Sequence, residues 1–161
     1  MRTILRTIAA FFVLASGASS ALRLPLSPEC LVRQSALIVS GTVNSISRDP
    51  ITRDGLGDIY AVKFSYEKVL SGDVSSDEFV YLTVRSPEVT DQAVLKERHA
   101  YYLFISDSEA GRYVTNGPQG VKEILKDGVK SVFSGKIVSS VDFEKEIVGA
   151  KKMECQDRGG P

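Results

Sequence analysis

Between residues 59 and 70 apolar and polar side chains alternate. Tyr60, Val62, Phe64 and Tyr66 fall on one side, and Lys63, Ser65 and Glu67 on the other. A period of two puts each kind on its own face of a strand, so this stretch predicts a sheet strand with one packed and one wet face. Residues 36 to 43 (Ala-Leu-Ile-Val-Ser-Gly-Thr-Val) do not alternate. Their β-branched, two-sided apolar character predicts a buried strand, with Gly41 marking a bulge or a close backbone approach. Residues 100 to 105 (Ala-Tyr-Tyr-Leu-Phe-Ile) are apolar on both faces and predict a central strand. Shorter strands are expected over 79–84 and 112–115. A hairpin is expected over 123–132, where Asp127-Gly128 suits a tight turn that needs a positive φ.

Two segments carry helix signals. Ser27-Pro28-Glu29 combines a capping hydroxyl, a proline suited to the first turn and an acid at the positive end, so a short helix starts there and stops near Ser35. From 142 to 153, Phe143, Ile147 and Ala150 recur at helical spacing, and Lys151 and Lys152 suit the negative end. Residues 48–58 and 85–98 are polar, charged and rich in turn formers, so they predict the two long loops. The pattern as a whole is mainly β: five to seven strands, a short helix at each end, and a barrel in which closure would hide the sheet edges.

The first residues obey a different grammar. Arg2 and Arg6 precede the apolar run Ile8 to Leu14, and small residues lead to Ala21. Charge, a short oily core and a small-residue cleavage site predict an export signal at 1–21, with Ala18 as the alternative cut. Removing 1–21 leaves 140 residues with net charge −2, because Arg2 and Arg6 leave and no acid does. The expected organisation is one domain over 22–155 and a tail over 156–161, secreted or periplasmic and monomeric, with no membrane span in the mature chain. The full chain has net charge +0, which supplies no global field for nucleic acid.

Cys30 and Cys155 are the only cysteines, at the two ends of the mature domain. In an oxidising compartment they predict a disulfide that closes most of the chain. One histidine and two cysteines do not make a usual zinc set, so no metal or other cofactor is expected. As a base, His99 would need a nucleophile and an orienting acid; Ser86, Ser106 and Asp107 are the available types, and a surface histidine in a charged turn is the plainer reading. Asp49, Asp54 and Asp58 share one loop, but their spacing is not that of a calcium loop, and Arg48 and Arg53 weaken the negative field. Six tyrosines (60, 66, 81, 101, 102 and 113) occur without a tryptophan, and exposed rings among them could stack on a ligand. Asp54, Asp58, Tyr81 and Tyr102 are the candidate binding residues. Lys122, Lys126, Lys130 and Lys136 lie along the hairpin region and read as solvated charges.

Three stretches carry a family resemblance. Leu37-Ile38-Val39-Ser40-Gly41-Thr42-Val43 resembles the first barrel strand of netrin-like, or TIMP-like, OB-fold modules. Val69-Leu70-Ser71-Gly72 looks like the end of the second long strand in secreted bacterial proteins of that type, and Tyr101-Tyr102-Leu103-Phe104-Ile105 is similar to a later strand. The resemblance spans residues 30 to 125 and implies a small OB-like, five-stranded Greek-key barrel. In animal members it also implies metalloproteinase inhibition through a cysteine at the mature N-terminus. Here the expected N-terminus is Leu22 and Cys30 lies further in, so that role passes to no residue. The expectation is a non-enzymatic module that binds a protein or small ligand through loops 48–58 and 85–98. A small secreted hydrolase or metal-dependent enzyme, and a structural subunit of an envelope complex, are the alternatives.

Overall fold

In the computed structural model, which describes residues 25–54, 57–74, 78–85, 95–109, 111–115 and 117–155, a short helix leads into the sheet. The predicted export signal at 1–21, the tail at 156–161 and most of loop 85–98 lie outside the described residues. Helix α1 (Pro28–Gln34) starts where the sequence signals put it: the Ser27 side chain accepts from the Cys30 backbone N–H at 3.2 Å. The strands follow as β1 (Leu37–Ile46), β2 (Thr52–Asp54), β3 (Gly57–Ser71), β4 (Glu78–Arg85), β5 (Ala100–Ser108) and β6 (Gly111–Val114). A single 3-10 turn over Gly117–Gly120 then leads to β7 (Val121–Leu125), β8 (Gly128–Lys130), β9 (Ile137–Val138) and helix α2 (Ser140–Ala150).

The chain is mainly β, and among the described residues seven strands form one largely antiparallel sheet, accompanied by two helices. β1 pairs antiparallel with both β3 and β5, β3 with β4, and β5 with both β6 and β7. β2 folds back on the start of β3. Between β4 and β6 the pairing is parallel and falls to one registered pair, Leu82↔Tyr113, in place of a continuous ladder. β7 continues into a small antiparallel extension with β8 and β9.

β1 and β5 separate two cores. Adjacent strand residues point to opposite faces. Val39, Val43, Leu103 and Ile105 therefore pack on one side with Val62 and Phe64 of β3. Ile38, Tyr102 and Phe104 point to the other side, against Leu31 and Val32 of α1 and Phe143, Ile147 and Ala150 of α2. This is the physical content of the two-sided apolar runs. Gly41 meets the expectation of close approach: a Cβ built there would lie 2.1 Å from the Ser65 carbonyl oxygen. The Cys30–Cys155 disulfide ties α1 to the chain just beyond α2, across a sequence separation of 125.

Several elements differ from the sequence reading; β1 runs on to Ile46 and β5 to Ser108, each three residues beyond the expected end. α2 spans 140–150 instead of 142–153, because the Ser139 side chain accepts from the Asp142 N–H and fixes the start. β2 and β9 were not expected; they are three and two residues long, too short for a hydrophobic period to show. β7 begins at Val121, earlier than the expected hairpin.

Candidate functional site

The register places the connections 47–56 and 86–99 at one end of the sheet. β1 finishes there with Ile46 opposite Val62 of β3, β3 begins and β4 ends there with Asp58 opposite Arg85, and β5 enters opposite Thr42. The β3–β4 and β5–β6 connections lie at the other end. Both predicted loops thus leave from the same rim.

The described part of the second loop is clamped to β1. Leu95 is buried in the first core. The Lys96 N–H donates to the Tyr101 hydroxyl at 3.0 Å. The Arg98 N–H donates to the Val43 carbonyl at 2.7 Å, and the Val43 N–H donates to the His99 carbonyl at 3.1 Å. The Glu97 carboxylate accepts from the Ile46 N–H at 2.9 Å. Between these anchors Arg98 adopts φ 65°, a left-handed conformation uncommon for a residue with a Cβ. Such a residue persists only where its surroundings over-determine it. Here the flanking hydrogen bonds do so, and the Arg98 side chain is held out in solvent.

His99 lies beside it, with Nδ1 2.6 Å from Glu123 Oε1 on β7. The partners are 24 positions apart in sequence, and the Tyr101↔Glu123 register brings them together. The Tyr101 ring is 6.5 Å from the imidazole, centroid to centroid. Burial raises the Tyr101 hydroxyl pKa, opposed by its hydrogen bond from the Lys96 backbone and reinforced by Glu123.

The sequence-predicted residues separate. Asp54 and Asp58 are at this rim: in the backbone register Asp54 lies opposite Gly57, and Asp58 lies opposite Arg53 on β2 and Arg85 on β4. The side chain of Asp54 lies outside the described residues, as does that of Tyr81, whose backbone sits opposite Val62 on β4. Tyr102 is elsewhere. Its ring is 2% exposed in the second core, 4.7 Å from Phe143, so the structure places it away from any ligand-stacking surface. Its hydroxyl donates to Glu144 of α2 at 3.0 Å, and Glu144 also pairs with Lys68. Burial and then the Glu144 carboxylate push the Tyr102 pKa up to about 12, against a smaller opposing effect of Ser140.

The catalytic combination weighed for His99 is not assembled from Ser106 and Asp107. They lie further along β5, roughly 23 Å away at about 3.3 Å per residue. Ser106 bonds with Thr115, and Asp107 accepts from Arg112; Ser86 is outside the described residues. Among the described residues no three His, Cys, Asp or Glu side chains gather as a metal site. No described helix is long and apolar enough to cross a membrane. Sequence reasoning missed Glu123 and Glu144, since neither carries a local signal and each meets its partner only through tertiary structure.

No protein-family model matches the chain, and no curated protein matches it.

Proposed function

We propose that this chain is an exported, non-enzymatic binding module that recognises a protein ligand at the rim bearing loops 48–58 and 85–98. One observation carries the reading: both loops leave the same end of the sheet, beside the clamped Arg98 turn and the His99–Glu123 pair. Rigid β scaffolds commonly carry recognition on such loops. The finer fold proposal is an OB-like barrel. The sheet is not closed, and support for the barrel is limited to β1 pairing with both β3 and β5 and to the single parallel pair, Leu82↔Tyr113, between β4 and β6. The N-terminal pattern of charge, oily run and small residues supports export to the periplasm or beyond, and the Cys30–Cys155 bond suits an oxidising compartment.

Site-specific photo-cross-linking tests the rim. A photoreactive residue at Ile51 or Arg98 should yield a discrete protein adduct in the native host, and one at Asp73, at the opposite end, should not. Equal adducts from all three positions would reject the reading. A hydrolytic alternative draws on the His99–Glu123 pair, since an oriented imidazole is a possible base. His99 has no Ser, Thr or Cys partner among the described residues. Turnover of generic ester or peptide substrates that vanishes in His99→Ala would favour that alternative. The intact mass of the exported chain should begin near Leu22.

A further inference from the structure

The β7–β9 extension has one covered and one open face. Ile124, Val129 and Val138 pack into the second core beneath α2. Strand alternation therefore turns their neighbours Leu125, Lys130 and Ile137 the other way. Leu125 is 44% and Ile137 47% exposed, and Lys130 stands directly opposite Ile137 in the register. Ile137 also borders Gly128: a Cβ on that glycine would lie 3.1 Å from the isoleucine Cγ2.

The charge on this extension is unbalanced. Lys126, Lys130 and Lys136 are exposed and make no ion pair among the described residues. Of the nearby acids, Glu123 is engaged by His99, and exposed Asp127 in the β7–β8 turn offsets one of the three lysine charges, leaving an excess of two. Glu123 and Leu125 are two apart on β7 and share a face, so the open face runs on from the rim described above. Exposed apolar side chains bordered by unpaired cations match the make-up of a protein-binding patch, with an apolar centre and a charged rim.

We propose that the open face of β7–β9 receives an acidic polypeptide segment of the protein partner, with apolar residues of that segment lying on Leu125 and Ile137. The proposal rests on the binding-module reading of the rim and adds the chemistry of the partner. Charge complementarity chooses the occupant, because uncompensated lysines repel a basic segment and attract an acidic one.

Fluorescence anisotropy of the oxidised mature chain provides the test, with a short labelled peptide alternating glutamate and leucine as probe. A lysine–leucine peptide and heparin are the comparison probes. The acidic peptide should bind about tenfold or more tightly than the basic one. Lys130→Glu should weaken it about tenfold, and Ile137→Ala by about threefold, with melting temperatures near that of the parent because both side chains are exposed. Equal binding of the two peptides would overturn the proposal. So would unchanged acidic-peptide binding in both variants, or heparin binding as tight as the peptide with no effect of Ile137→Ala. Peptide binding lost in Arg98→Ala but kept in both hairpin variants would also overturn it and leave the rim reading standing. Peptide binding that depends on Lys130 and Ile137, with no specific adduct from Ile51 or Arg98, would support the hairpin face and reject the rim.

Discussion

At the scale of single residues, Gly41 and Tyr102 show what local chemistry reveals and what it hides. A glycine inside an otherwise β-branched run has few explanations, and backbone crowding is the one realised. Gly41→Ala would drive a methyl into the Ser65 carbonyl and the Tyr66 Cα, 2.1 and 2.6 Å away. The expected cost is on the order of 3 kcal/mol, readable as a lower urea midpoint with an unchanged slope. Tyr102 gave no such clue. In sequence it is one of six tyrosines, and its burial and its Glu144 partner emerge only once α2 is docked on β5. Its native pKa of about 12 lies above the ordinary 10.0, so the folded state holds the phenolic proton more tightly than the unfolded chain does. Its contribution to stability is thus complete below pH 10 and is lost as pH rises toward 12. Tyr102→Phe should flatten that alkaline decline and cost about 1 kcal/mol at neutral pH, measured as melting temperature against pH.

At the scale of elements, periodicity was legible wherever a segment was long enough to repeat it. The alternation at 59–70 corresponds to β3, and its inward Val62 and Phe64 are fully buried. The Ser27-Pro28-Glu29 start of α1 holds to the residue. β2 and β9 have too few positions for any period, and they exist because neighbouring strands offer them edges. α2 depends on its cap as well as its apolar stripe. Ser139→Ala should cost about 1 kcal/mol. Hydrogen bonding to Ser139, and then Lys145, hold the Asp142 carboxyl below its ordinary pKa. A depressed acid stabilises the fold above its unfolded pKa and loses that contribution as pH falls, so the Ser139→Ala variant should show a shallower acid-side decline in melting temperature. Phe143→Ala, which opens the second core, should cost about 3–5 kcal/mol by the same measurement.

At the scale of the whole molecule, the disulfide was legible because only two cysteines exist and they lie at opposite ends of the domain. Its Cα atoms are 4.7 Å apart, and it spans 125 positions. Loop-closure entropy for that span gives an upper figure of ~5 kcal/mol. Cys30→Ser/Cys155→Ser should therefore unfold at a markedly lower urea concentration, while the oxidised parent shows no thiol reactive with a maleimide. The rim was only half legible. Composition marked the two loops, but their convergence, the left-handed Arg98 and the His99–Glu123 pair all follow from strand register, which no local pattern encodes.

Because β5 is walled in on both sides, residues Tyr101 to Ile105 form an unbroken oily pentad with no gatekeeping charge inside it. Tertiary cover alone keeps that pentad from meeting its counterpart in another chain. Once the covalent link is cut and the chain warmed, it is the segment expected to seed cross-β fibrils. Replacing Leu103 with lysine should then unfold the protein yet slow fibril growth, separating the hazard of the segment from its structural use.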